Sequence, residues 1–275
     1  MANDQMRHHW TSVNGPAWVE HQRLFDRMLS GVTGHLLDAI TVEHGQRIAD
    51  IGCGTGTLTG AIADRGAHAV GIDISETMVG GARRRFPDLE FVVADAQLDP
   101  LPGPFDQVVS RFGVMFFDDP VAAFANIGTA TTDGATMTFL CWRGIAENPA
   151  ISAGARKLIA ALPEAPPPMD PTAPGPMAFA DPARLRGILI DAGWDAIDIE
   201  PVDSVARYDL DDGDDGIDGR MTLMLDSDAG RRFLADVPEA ERGPGMAAAR
   251  ADIESFLVDG HVELPAACWL VRARR

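Results

Sequence analysis

Apolar residues recur along this chain in two rhythms. Short apolar runs end at an acid or a polar residue, and stretches with apolar positions three and four apart follow them. Ile48-Ala49-Asp50-Ile51 runs into Gly52-Cys53-Gly54-Thr55-Gly56, after which Thr57 reads as an N-cap and Leu58, Ala61 and Ile62 share a helical face. His68 to Asp73 reads as the second strand, and Ser75 caps a helix with Met78, Val79, Ala82 and Phe86 at helical spacing. Leu89 to Ala96 and Phe105 to Ser110 read as strands three and four. Asp119-Pro120 opens a helix striped by Val121, Phe124, Ala125 and Gly128; a turn at Thr132-Asp133-Gly134 and a fifth strand, Ala135 to Cys141, come next. Asp181-Pro182 opens another helix, closed by Gly193 before a sixth strand, Trp194 to Ile199, and a last strand runs from about Val262 to Arg272. Strands alternating with helices predict an α/β fold around a parallel sheet.

The flanks break this alternation. Residues 1–45 read as a helical cap, in which Trp18, Leu24, Phe25, Met28 and Leu29 form an apolar face and a second helix runs from about Gly34 to Ile40. Residues 46–142 form the core. Residues 143–180 form a variable insert or lid, with a short helix at 149–162 and seven prolines between Pro163 and Pro176, too poor in N–H donors for helix or central strand. Met169, Met177 and Phe179 are expected to line a pocket there. Residues 181–275 complete the sheet, with helices at about 218–236 and 239–258. The six aspartates between Asp209 and Asp218 fit no calcium-loop register and read as a solvated loop.

Composition narrows the function. At 275 residues and 46% hydrophobic, the chain can bury a full core. Its net charge of −18 disfavours nucleic acid and anionic membranes. The one basic cluster, Arg83-Arg84-Arg85, reads as a solvated helical face. No apolar run is long enough to span a membrane, and the polar first ten residues lack a secretory signal. The cysteines Cys53, Cys141 and Cys268 are scattered without metal-ligand spacing, so a cytoplasmic protein without a metal site is expected.

The glycine loop carries the chemistry. Its spacing is G-x-G-x-G, with Thr57 where a dinucleotide fingerprint has its third glycine, and Asp50 just ahead would repel a pyrophosphate yet suit a cation. Asp73, 21 residues after Gly52, can accept two hydrogen bonds from ribose hydroxyls, and Asp95 can accept one from an adenine amine. Asp50, Asp73 and Asp95 thus end successive strands on the carboxyl edge of one sheet. Over residues 10–142 the chain resembles class I S-adenosylmethionine-dependent methyltransferases, in a small-molecule or quinone-pathway-like branch. The resemblance implies a Rossmann-like seven-stranded, mainly parallel sheet with helices on both faces, the last strand antiparallel, and a cap made by the N-terminal helices and the insert. It implies S-adenosylmethionine as cofactor, S-adenosylhomocysteine as product, and cofactor contacts from Asp50, Gly52, Cys53, Gly54, Gly56, Asp73, Ile74, Met78, Asp95, Ala96 and Arg111. Ser110-Arg111-Phe112-Gly113 stands where enzymes acting on adenine or glutamine amides have an Asn/Asp-Pro-Pro-aromatic box, which points to a small-molecule acceptor.

Methyl transfer from a sulfonium needs alignment and exclusion of water more than a fixed catalytic residue. A phenol or enol acceptor needs a base, for which His21, Asp118 and His9 are candidates; Arg111 could orient an anionic acceptor. Trp18, Phe112, Met115, Trp142, Met177 and Phe179 are the substrate-pocket candidates. The expected partners are a small-molecule acceptor and, at most, a second copy of the chain, with no nucleic acid and no membrane. A protein that binds S-adenosylmethionine without transferring its methyl, and a nicotinamide oxidoreductase lacking its third glycine, stay open as alternatives.

Overall fold

The sheet forms because its central strands are apolar on both faces, as strands covered by helices on both sides must be. The computed structural model describes residues 3–167 and 170–275. The N-terminal cap comprises α1 (Asp4–His8), a π-helical turn (His9–Val13), α2 (Asn14–Glu20), α3 (Gln22–Met28) and α4 (Ser30–Ala39). Then come β1 (Arg47–Ile51), α5 (Thr57–Ala63), β2 (His68–Asp73), α6 (Glu76–Arg85), β3 (Glu90–Val93), β4 (Phe105–Arg111), α7 (Pro120–Thr129) and β5 (Thr131–Trp142). The second half holds α8 (Pro149–Ser152), α9 (Ala155–Ala160), α10 (Pro182–Asp191), β6 (Asp195–Ala206), α11 (Ile217–Leu225), α12 (Asp228–Asp236), α13 (Arg242–Glu254), a small hairpin of β7 (Leu257–Val258) and β8 (His261–Val262), and β9 (Leu264–Arg274).

The seven-stranded sheet runs β3-β2-β1-β4-β5-β9-β6. All its pairings are parallel except those of β9, which inserts antiparallel between β5 and β6. The order in which strands are added across the sheet reverses between β1 and β4, where open α/β sheets gather ligands beyond their carboxyl ends. Helix starts follow the local chemistry: Ser75 accepts from the Met78 N–H at 3.2 Å, Asp119 from Ala122 at 3.0 Å and Asp181 from Ala183 at 2.9 Å, the last two ahead of a proline. At α5 the cap is Gly56, at φ 83°, and the Thr57 hydroxyl instead donates to Asp26 of α3.

Several elements differ from the sequence expectation. β3 stops at Val93, so Asp95 lies in the loop beyond it. Thr132-Asp133-Gly134 is part of β5, a register irregularity against β4 taking the place of a turn, with Gly134 at φ 76°. β6 is twelve residues long, not six, because β9 pairs along it as far as Ala206. Its outer position tolerates Pro201, and its acids pair with arginines: Glu200 with Arg272 at 2.6 Å and Asp203 with Arg143 at 2.7 Å. The aspartate tract is a solvated loop, with Asp211, Asp212, Asp215 and Asp218 exposed, yet it is tied internally. Asp214 accepts from the Leu210 and Gly216 N–H groups, Asp215 from Ile217, and Asp209 binds Arg27. Two of the three clustered arginines are also engaged: Arg83 donates to the Phe91 carbonyl and Arg85 to Asp26, each within 2.7 Å. α8, α9, α11, α12 and α13 pack together beside the sheet. Among the described residues no helix is long and apolar enough to cross a membrane, and no group of three or more His, Cys, Asp or Glu could hold a metal ion.

Candidate cofactor and acceptor site

The carboxyl ends of β1, β2 and β4 open into a cavity of about 360 Å³, within the range of small-molecule sites. Its floor is the loop Gly52 to Thr55. The Gly52 and Cys53 N–H groups both donate to the Ile72 carbonyl, at 2.8 and 3.1 Å, which folds the loop back over β2. Gly52 (φ 68°) faces Gly113 of the loop after β4, and a Cβ on Gly52 would lie 2.5 Å from the Gly113 Cα. Two glycines on neighbouring loops thus let the backbones touch and narrow the cavity floor.

Asp73 stands at the wall. Its Oδ2 accepts the Gly54 N–H and its Oδ1 the Ser75 N–H, both at 2.9 Å. Each oxygen is anchored by one backbone donor and retains a lone pair for a ligand hydroxyl. Burial raises its pKa, opposed by the backbone N–H groups of Ser75, Gly54 and Ile74. Ile74, Met78, Ala94 and Ala96 supply an apolar slot beside it, and Asp95 lies at the far end. Asp95 Oδ1 accepts from the Gln97 N–H and from the Asn3 side-chain amide, each at 2.9 Å.

At the opposite end Arg111 projects from the end of β4. Its Nη1 donates to the Thr33 hydroxyl at 2.6 Å, while Nε and Nη2 make no hydrogen bond to the described residues. Burial lowers its pKa, opposed by the charges of Asp26 and Asp50. A guanidinium with spare donors on a largely apolar wall suits a carboxylate.

Aromatic rings make up the rest of the wall. Trp18 stacks on Phe25 (3.7 Å between centroids, 7° between planes) and Phe112 on Trp142 (4.1 Å, 4°). Trp10 meets Phe116 edge-on at 5.0 Å. Phe112 holds φ 67°, a left-handed backbone rare for a bulky residue. His9 lines the cavity as well, and its Nε2 lies 2.6 Å from the Asn14 Nδ2. Arg231 donates to the Asn14 Oδ1, which turns the Asn14 NH₂ toward the ring, so His9 Nε2 accepts and the imidazole is neutral. Burial lowers the His9 pKa; Asp228 raises it, while Arg231 and His8 lower it.

Gly52, Cys53, Gly54, Asp73, Ile74, Met78, Asp95, Ala96 and Arg111 all border this cavity, as do Trp18, Phe112, Met115 and Trp142. Other sequence candidates lie elsewhere. Asp50 sits beneath the loop, 1% exposed, with Oδ2 accepting from the Thr59 hydroxyl at 2.7 Å; burial pushes its pKa up to about 6. A carboxylate there anchors the first turn of helix α5 through Thr59 and does not border the cavity. Gly56 packs against rings, where a Cβ would lie 2.8 Å from Phe91. His21 pairs with Asp226 at 3.1 Å outside the cavity, and Asp118 is exposed. Met177 and Phe179 are buried beside the cavity, not in its lining; Phe179 sits against Phe124, and Pro176 reaches the cavity instead. Met169 lies outside the described residues.

Sequence reading did not reach Asn3, Asn14, Gly113, Ser227 or Asp228, which come to the cavity from distant segments. Only Gly113 carried a local signal, as the small residue after the aromatic that follows the fourth strand.

Residues 48–134 match the family model described as a methyltransferase domain. A demethylmenaquinone methyltransferase of Beutenbergia cavernae is 37% identical over 102 residues, which are 37% of this chain and 42% of the relative. A ubiquinone biosynthesis O-methyltransferase of Methylococcus capsulatus is 30% identical over 138 residues, 48% of this chain and 56% of the relative. The chain thus spans about half the length of these relatives. The crystal structure of the YcgJ protein from Bacillus subtilis superposes with a TM-score of 0.55 at 12% identity, covering 88% of this chain and 97% of that one, a likeness of fold.

Proposed function

We propose that the chain, whose residues 48–134 match a methyltransferase domain, is a class I S-adenosylmethionine-dependent methyltransferase that methylates a small, largely apolar aromatic acceptor, quinone-like or phenolic. The observation that carries this reading is that Asp73 and Arg111 border one cavity across the glycine loop. A carboxylate with a free lone pair on each oxygen suits a ribose diol, and a guanidinium with spare donors suits the carboxylate of an amino acid. Asp95 would take the adenine amine, with Ile74 and Met78 against the base. S-adenosylmethionine, when bound, supplies a methyl group activated on a sulfonium and leaves as the neutral thioether S-adenosylhomocysteine.

The protein's own part is alignment and exclusion of water. The stacked pairs Trp18–Phe25 and Phe112–Trp142 offer flat apolar faces to an aromatic acceptor. Of the candidate bases, His9 borders the cavity in neutral form; accepting a proton at Nε2 requires the Asn14 amide to give way. Ser227 and Asp228 close the same end from α12 and the residue before it.

The test is a pair of ligands. Arg111→Ala is expected to weaken S-adenosylhomocysteine by about 10- to 100-fold, the cost of about 1.5–3 kcal/mol for a hydrogen bond to a charged group, and to leave 5′-methylthioadenosine, which has no carboxylate, unchanged. Asp73→Ala is expected to weaken both by about 1–3 kcal/mol. Equal losses for the two ligands in Arg111→Ala would remove the carboxylate assignment.

A further inference from the structure

The carboxylate that would read the adenine amine already has a side-chain donor from the chain itself. Asn3 Nδ2 donates to Asp95 Oδ1 at 2.9 Å, and the same amide's Oδ1 accepts the Asp118 N–H at 3.0 Å. Asn3 is 6% exposed and sits at φ 62°, a left-handed conformation that asparagine tolerates better than most residues. It is thus held in place, not draped over the surface.

The segment behind it is fastened along the same wall. Arg7 Nη1 donates to the Ile74 carbonyl at 3.3 Å, and its Nη2 lies 3.9 Å from Asp95 Oδ2. Ser75 donates to the Trp10 carbonyl and Thr77 to the Thr11 carbonyl, both at 2.8 Å. Residues 3–11 therefore form a strap across the residues that follow β2 and β3. Asn3, Met6 and Trp10 border the cavity from the strap side.

We infer that Asn3 is an internal competitor of the cofactor's adenine: its amide holds the Asp95 carboxylate in the closed state and gives it up when an exocyclic amine arrives. The exchange replaces one neutral N–H donor on a carboxylate with another, so Asp95 stays satisfied in both states and its charge is never buried unpaired. The strap then acts as a latch whose release adds to the apparent dissociation constant of any ligand that uses Asp95. The inference rests on the assignment of Asp95 to the adenine amine.

The experiment measures S-adenosylhomocysteine binding to the full chain by calorimetry, with association followed by tryptophan fluorescence, since Trp10 rides on the strap. Asn3→Ala is expected to bind about tenfold tighter than the wild type and to associate faster, because the competing donor to a charged acceptor is gone. Asn3→Asp, which sets a second carboxylate against Asp95, is expected to shift affinity in the same direction. In an Asp95→Ala background the Asn3→Ala change is expected to have no effect, which separates competition at this carboxylate from general loosening of the strap. Thermal unfolding checks that each variant is folded. Unchanged or weaker binding by folded Asn3→Ala, while the wild type binds, would overturn the latch and leave the cofactor site standing. Absence of binding by wild type and variant alike would remove the cofactor assignment and the latch with it.

Discussion

Gly113 shows how closely two loops must approach for the cavity floor to exist. A Cβ there would lie 2.5 Å from the Ile51 carbonyl oxygen and 2.7 Å from the Gly52 Cα, both backbone atoms that cannot swing aside. Gly113→Ala is expected to cost about 1–3 kcal/mol of stability and to weaken S-adenosylhomocysteine, as denaturant unfolding and calorimetry would record; unchanged values would mean the loops have slack. Asp50 yields a pH signature. Its pKa of about 6 in the fold lies above the 3.8 of an unperturbed aspartate. Between about pH 4 and 6 the unfolded chain gives up this proton while the folded one keeps it, so this group lowers stability as pH rises through that window, by up to about 3 kcal/mol above it. Asp50→Asn keeps an acceptor for Thr59 and removes the titration, so its stability relative to wild type should climb from pH 4 to 6 and then level off. A difference independent of pH would contradict this. Asp50 also marks where sequence reading went astray. The acid before the glycine loop was legible, but strand parity and burial decide that it points under the loop, and no local pattern reveals that. Asp73 and Asp95 were legible because strand ends of a parallel sheet converge on one edge.

The N-terminal helices are seated by the buried Leu24, Leu29, Val32 and Leu36, and a few polar ties fix them further. Asp26 of α3 takes hydrogen bonds from the Thr57 hydroxyl and from Arg85 Nη2, and Arg85 Nη1 also reaches Thr55 and Thr57. One ionic cluster therefore fastens cap, glycine loop and α6. Asp26→Asn is expected to cost about 1 kcal/mol overall and to speed amide hydrogen exchange in α3 well beyond any change in β1 or β2. Equal changes in both would mean that the cap and core open as one unit. Helices with a polar cap and following proline were readable from sequence, α7 and α10 among them. The long β6 was not, because Glu200-Pro201-Val202-Asp203 looks like a strand end unless β9 is known to pair along it. Arg83 and Arg84 are exposed, as a solvated face requires, but the partners of Arg83 and Arg85, a strand carbonyl and a carboxylate from the N-terminal helices, are not revealed by local composition.

The cavity is a composite of the whole chain: Asn3, Trp10 and Trp18 from the cap, Asp73, Asp95 and Arg111 from the sheet, Ile151 and Pro176 from the insert, and Ser227 and Asp228 from the C-terminal helices. The order of the sheet strands and the cofactor end of the cavity follow from the repeating strand-loop-helix pattern. The aromatic end of the cavity is built by segments that have no periodicity in common, which is why the sequence pointed to some of its rings, such as Trp18 and Trp142, and not to its polar groups. A net charge of −18 adds a general preference against polyanionic ligands, so an anionic pyrophosphate is disfavoured before any contact is made. The measurement that bears most directly on the function is calorimetry of the full chain with S-adenosylmethionine, S-adenosylhomocysteine and NADH under one buffer condition. Micromolar binding of both sulfur compounds at one site per chain, with no heat from NADH, is the expected result. A folded chain that binds neither sulfur compound, or binds NADH in their place, would contradict the assignment of Asp73, Asp95 and Arg111 to a single adenosyl amino acid.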